Sequence, residues 1–79
     1  MDYSEFKRLV FASIAKHDGA WSWYQLDRAL IRQHPEMSSS LMLALKNLEA
    51  EGLIQPVLPE GRPGQPLYML TERGKNYAG

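Results

Sequence analysis

The sequence predicts one α+β domain that is mainly helical, with three helices, a β-hairpin and a short last helix. Up to Gly52 the apolar residues recur with helical spacing, and after it two short apolar runs flank a loop rich in proline and glycine. The chain has 79 residues, close to the size at which a single core is only just sufficient. We therefore expect residues 1–79 to form a single domain in which nearly every patterned apolar residue is needed for folding.

The first helix is predicted over residues 3–17. Asp2 and Glu5 have the spacing of a capping box, in which the side chain of each residue bonds the backbone N–H of the other. Asp18 and Gly19 end the helix, because glycine favours the left-handed conformation that follows a last turn. The face expected to lie against the core carries Phe6, Leu9, Val10, Ser13 and Ile14.

A second helix is predicted from Ser22 to about Gln33. Ser22 and Gln25 have the spacing of a second capping box, and the residue before Pro35 is pushed out of the α conformation, which ends the helix. Residues 20–21 leave room for only a very short extended segment between the first two helices. Residues 35–37 form a short turn into a third helix, so the second and third helices together predict a helix-turn-helix pair.

The third helix is predicted over residues 38–51. Any of its three serines is suitable as the N-cap, and Gly52 with Leu53 has the pattern of a Schellman motif at the other end. The core-facing stripe consists of Leu41, Ala44, Leu45 and Leu48. The opposite side, called the outer face below, consists of Ser39, Ser40, Met42, Leu43, Lys46 and Asn47.

Residues 53–70 predict a two-stranded hairpin whose loop is rich in turn formers. Pro56 lacks a backbone donor, so the first strand should lie at an edge and residues 67–70 should form the better-paired strand. Thr71 is the expected cap of a last short helix. Gly74 should weaken that helix, because glycine is a poor helix former.

Two segments of the sequence resemble a known pattern. LKNLEAEGLI spans Leu45 to Ile54, and LYMLTERG spans Leu67 to Gly74. Together they resemble the segments that close the third helix and the wing in MarR-like and PadR-like bacterial transcription regulators, which are winged helix-turn-helix proteins. The resemblance covers essentially the whole chain.

The resemblance implies a transcriptional regulator that binds double-stranded DNA. Helix 3 (38–51) would lie in the major groove, and the wing (53–70) would lie on the backbone or in the minor groove. Tyr24 would lie near a phosphate, and Arg62 at the wing tip would reach a phosphate or the minor groove. The residues expected to face the major groove are Ser39, Ser40, Leu43, Lys46 and Asn47.

A second hypothesis is a winged-helix module that binds another protein. Nine Lys and Arg residues balance nine Asp and Glu residues, so net charge neither supports nor excludes a DNA partner. Met42 and Leu43 would provide an adaptable apolar contact, with Met37 as a further contact. A homodimer formed through helix 1 or the last segment is compatible with either hypothesis.

Aromatic residues are interpreted mainly as packing residues. Trp21 and Leu26 have the spacing of a hydrophobic staple, which favours a core position for Trp21 over a base-stacking one. Trp23 stays open between the two interpretations. Tyr68 and Tyr77 are expected to pack against other side chains.

The sequence indicates neither an enzyme nor a cofactor. It has no nucleophile elbow, HExxH motif or glycine-rich phosphate loop, and no cysteine. His17 and His34 are isolated and are expected at helix ends, not as metal ligands. No small-molecule ligand is evident. Without a membrane-length apolar run or a signal-peptide pattern, we expect a soluble, cytoplasmic protein.

Overall fold

The computed structural model describes residues 1–58 and 66–78. The chain is α+β and mainly helical, as the sequence predicts, with a small three-stranded antiparallel sheet. Its elements in order are α1 (Tyr3–Lys16), β1 (Trp21–Ser22), α2 (Trp23–Leu26), a π-helical turn (Asp27–Ile31), a 3₁₀ turn (Pro35–Met37), α3 (Leu41–Ala50), β2 (Ile54–Val57), β3 (Leu67–Leu70) and α4 (Glu72–Ala78).

The predicted start of α1 is confirmed. The Asp2 carboxylate accepts a hydrogen bond of 2.8 Å from the backbone N–H of Glu5, and the Asp2 carbonyl accepts one of 3.1 Å from Phe6. The first bond satisfies an N–H group that has no partner inside the helix, and the second is the first bond of the helix itself. The helix ends at Lys16, one residue before the predicted end.

The second helix begins where the sequence predicts but is not a regular α-helix throughout. The backbone N–H of Ser22 donates to the Gln25 side chain at 2.8 Å, as a capping box requires. After Leu26 the backbone widens into the π-helical turn, which ends at Ile31 and not at Gln33. Apolar spacing does not predict this turn, because five residues are too few for the period of a π-helical turn to be distinguished from that of an α-helix.

α3 begins at Leu41, three residues after the predicted start at Ser38. The intervening serines belong to turns, in which the N–H of Ser38 donates to Pro35 at 3.2 Å and that of Ser40 to Met37 at 2.9 Å. Ser40 occupies the N-cap position, but its side chain makes no capping bond. Serine favours turns as readily as N-caps, which explains the displaced boundary.

The predicted Schellman motif at the end of α3 is confirmed. Gly52 has a φ of +75°. Its N–H donates to Glu49 at 3.0 Å, and the N–H of Leu53 donates to Leu48 at 3.1 Å. These are the two bonds of the motif, and they turn the chain from α3 directly into β2.

The hairpin is confirmed, and β1 adds a third strand to it. The strand order is β1-β3-β2, so β2, which contains Pro56, is an edge strand and β3 is the central one, as predicted. Trp21 pairs with Tyr68 in β3. The Asp18 carboxylate also accepts a bond of 2.8 Å from the backbone N–H of Leu70, which ties the sheet to the end of α1.

One core holds these elements together. α1 packs on α3 and on β3, and α3 packs on β2. The buried apolar residues are Phe6, Val10, Phe11, Ile14, Leu26, Leu30, Met37, Leu41, Ala44, Leu45, Leu48, Leu53, Ile54, Tyr68 and Leu70. Every residue of the predicted α3 stripe is in this set.

Gly74 is needed for a close contact, which the sequence does not reveal. Thr71 caps α4, as predicted, since its hydroxyl accepts a bond of 3.0 Å from the N–H of Gly74. A Cβ atom on Gly74 would lie 2.0 Å from the carbonyl oxygen of Leu53. The absence of a side chain therefore lets α4 pack directly on the backbone that follows α3.

Gly74→Ala should lower the free energy of unfolding by roughly 2 kcal/mol, because the added methyl group forces backbone apart. Helix propensity alone predicts the opposite sign. Urea denaturation measures the difference. Asn76→Ala, at an exposed position of the same helix, is the control and should stabilise slightly. A more stable Gly74→Ala variant would contradict the close contact.

Candidate functional site

The outer face is exposed along most of its length. Met42 and Leu43 are 47% and 51% exposed. Ser39 and Lys46 are also exposed, while Ser40 and Asn47 are half-buried. The six residues that the sequence assigns to this side therefore lie together on α3 and the turn before it. They form a surface with two apolar, one basic and three neutral polar side chains.

The start of α1 borders the outer face on one side. The Nδ2 atom of Asn47 donates a hydrogen bond of 2.6 Å to the Tyr3 hydroxyl. The sequence gives no indication of a role for Tyr3, because the two residues are 44 positions apart and no local pattern links them. Asn47 is thus held in a fixed position at the border of the outer face.

The sheet packs on α3 through β2. Tyr68, in the central strand, is buried, and this burial raises the pKa of its hydroxyl above the usual value. The nearby negative charge of Glu49 is the second cause of the raised pKa. Both causes disfavour the ionised phenolate. The carboxylate of Glu49, which is not part of the outer face, therefore lies near Tyr68.

Lys46 is the only charged residue of the outer face. In the described part of the chain, no carboxylate lies within ion-pair distance of its ammonium group. Glu51, just after α3, forms an ion pair with Lys7 of α1. The acidic groups at the end of α3 thus have other neighbours, and the charge of Lys46 faces solvent.

Tyr24 lies exposed on α2 and is paired with an arginine. Its hydroxyl accepts a hydrogen bond of 3.2 Å from Arg28, whose guanidinium carbon lies 5.6 Å from the centre of the ring. Arg28 and Arg32 line a shallow depression together with Asp27 and Ile31. Arg28, in the π-helical turn after α2, is therefore an exposed basic group beside the Tyr24 hydroxyl.

The remaining predicted contact residues and the two predicted packing tyrosines are found in different environments. Arg62 lies outside the described residues. Met37 is only 6% exposed, so its assignment as a protein contact is wrong. It fills the core because the 3₁₀ turn directs it inward. Tyr68 is a packing residue, as predicted, whereas Tyr77 is 72% exposed and touches Phe11 only by an edge-on ring contact at 5.5 Å.

The two tryptophans are not fully buried. Trp21 packs against the core but remains half-buried, and its ring stacks on His17 with centroids 3.7 Å apart and an interplanar angle of 6°. Trp23 is 41% exposed. His17 lies at the C-cap of α1, the helix-end position that the sequence predicts.

A half-open cleft of about 220 Å³ lies between α1, the end of α3 and α4. Its apolar lining is Phe11, Leu48, Leu53 and Tyr77, with Lys7 and Arg8 among its polar residues. Within residues 1–58 and 66–78, no three His, Asp or Glu side chains are grouped to hold a metal ion. The helices of this part of the chain are all too short or too polar to cross a bilayer.

No family model, curated protein or solved structure matches this chain. The arrangement around α3 is therefore the basis for a functional hypothesis.

Raising the pH above about 10 should destabilise the protein through Tyr68. The unfolded tyrosine ionises near pH 10, while the buried one keeps its proton, because its pKa is raised. Its contribution to stability is complete below pH 10 and is lost as the pH rises toward the folded-state pKa. Denaturation from pH 8 to 11.5 should show a steeper loss for the wild type than for Tyr68→Phe.

Tyr77→Phe is the matched control, because Tyr77 is exposed. Its pH profile should follow that of the wild type. Parallel profiles for the wild type and Tyr68→Phe would contradict the predicted effect of burial.

Proposed function

We propose that this protein is a winged helix-turn-helix DNA-binding protein that regulates transcription. In this proposal α3 enters the major groove and the hairpin contacts the backbone or minor groove. The observation that carries the proposal is the outer face, a largely exposed strip that has Lys46 as its one charge and is bordered by the start of α1. A helix that enters a groove needs such an unobstructed side.

The order and pairing of the elements are compatible with this fold class. Two helical segments joined by a short turn precede a hairpin, and the hairpin follows α3 with only a Schellman turn between them. The short β1 strand completes the sheet against β3. Together these features support a helix-turn-helix pair with an attached wing.

The side chains of the outer face have suitable chemistry for base edges. Lys46 can donate to guanine, Asn47 can pair with adenine, and Leu43 can contact a thymine methyl group. Ser39 and Ser40 offer hydroxyl groups that accept or donate. These roles require contact with base edges, while phosphate contacts would set the orientation of the domain.

Phosphate contacts would come from outside α3. Tyr24, with its hydroxyl near Arg28, is exposed on α2. Arg62, which lies outside the described residues, is proposed to reach a phosphate or a narrow minor groove, since its planar guanidinium suits both. Zero net charge does not oppose this arrangement if basic groups lie on the DNA side.

Binding to mixed-sequence duplex DNA should be micromolar or tighter at low salt and should weaken as salt is added. Lys46→Ala should reduce affinity several-fold and relax the preference for guanine at one position, because Lys46 is proposed to contact a base. Fluorescence anisotropy measures both quantities. Lys75→Ala, on α4, is the charge-matched control and should leave both nearly unchanged. Millimolar affinity without a salt slope would refute the proposal.

A protein-binding role is the second candidate, because the outer face also exposes Met42 and Leu43. Trp23 and Tyr24 on α2 are 41% and 54% exposed as well. Flexible Met and exposed aromatic side chains are typical of adaptable protein contacts. The neutral total charge is compatible with this role.

A second copy of the chain is the partner that tests this candidate directly. If the outer face binds it, sedimentation equilibrium should show a dimer that is lost in Met42→Ser/Leu43→Ser. The control Val57→Ser/Leu58→Ser changes another exposed apolar pair and should preserve the dimer. Self-association through this face would be excluded if the protein is a monomer at all concentrations. It would also be excluded if Met42→Ser/Leu43→Ser leaves the dimer intact.

A further inference from the structure

We infer that Tyr3 is a positioning residue that orients the Asn47 amide for adenine recognition. This inference rests on the proposed DNA-binding function and adds a specificity-determining residue to it. The observation is the 2.6 Å bond from Asn47 Nδ2 to the Tyr3 hydroxyl, at the border of the outer face. Tyr3 itself need not touch DNA in this role.

The hydrogen-bonding groups of asparagine allow both contacts at once. Its side-chain amide has two N–H donors and one carbonyl acceptor. A bidentate contact with adenine uses one donor, to N7, and the acceptor, from the N6 amino group. The bond to Tyr3 uses the remaining donor. Asn47 can therefore stay bonded to Tyr3 while it reads a base.

The bond holds the amide in the orientation that the structure shows, with its nitrogen toward Tyr3. Rotating the amide by half a turn would exchange the nitrogen and the oxygen, which would place an acceptor against N7 of adenine. Guanine presents acceptors at both N7 and O6. The carbonyl oxygen of the Asn47 amide, held in this orientation, would therefore face an acceptor and find no donor. A fixed orientation therefore favours adenine over guanine at one base pair.

Tyr3 is itself held in place. It is the first residue of α1, directly after the Asp2 cap, and its neighbour Phe6 is fully buried. α1 packs along α3 through the core, so the tyrosine hydroxyl has a defined position relative to Asn47. The orientation is thus established before DNA binds, which reduces the entropy lost on binding.

The test is sequence selection from a random duplex library by the wild type, Tyr3→Phe, Asn47→Ala and the double variant. The wild type should require an A·T pair at one position. Asn47→Ala should lose this requirement, and Tyr3→Phe should weaken it about three- to tenfold, the range expected for one hydrogen bond. The double variant should match Asn47→Ala at that position, because Tyr3 acts only through Asn47.

Two further readouts separate positioning from a structural effect. The salt-dependent affinity for mixed-sequence DNA and the melting temperature should change little in Tyr3→Phe, which keeps the ring and loses only the hydroxyl. Tyr77→Phe, which removes the hydroxyl of an exposed tyrosine on α4, should leave base preference unchanged.

Each negative outcome has a distinct meaning. If the wild type binds no duplex DNA, the proposed function fails and the role of Tyr3 fails with it. If the wild type binds DNA but Asn47→Ala or Tyr3→Phe keeps the full A·T preference, the proposed function stands and the role of Tyr3 is refuted.

Discussion

The junction at Gly52 and Leu53 is the constraint on which the rest of the structure depends. There Gly52, in the left-handed conformation, ends α3, and the backbone of Leu53 contacts two later parts of the chain. Its carbonyl accepts a bond of 3.1 Å from the N–H of Thr71 and lies against Gly74 of α4. The Thr71 hydroxyl bonds the Gly52 carbonyl as well. One short segment therefore sets how α3, the hairpin and the last helix lie relative to each other.

Local signals were sufficient to predict most of the fold. The Asp2 cap, the α3 stripe, the Schellman motif and the edge position of Pro56 each depend on residues within one or two turns of each other, and the structure has all of them. The start of α3 was misplaced because serine suits a turn as well as a cap. The π-helical turn after α2 is not predicted, since its five residues are too few to reveal a change of period.

The other features that the sequence does not predict are long-range. The pairing of β1 with β3, the contact of Gly74 with Leu53 and the bond between Tyr3 and Asn47 join residues that are distant in the chain. Their residue types do not indicate these contacts, because only the packing of the elements brings the residues together. For the candidate site, the sequence therefore predicts the residues of the outer face but not their neighbours. It does not predict that Tyr3 holds Asn47.

The small charge of the outer face explains why orientation matters in the proposed function. With Lys46 as its one basic residue, α3 supplies little of the phosphate-driven affinity that many DNA-binding domains use. Discrimination must then come from polar groups whose geometry is fixed in advance, because every freely rotating side chain costs free energy when it is ordered. The bond from Asn47 to Tyr3 fixes one such group, and the cap at Asp2 fixes Tyr3. A nearly neutral surface can in this way select a base pair while binding the backbone weakly.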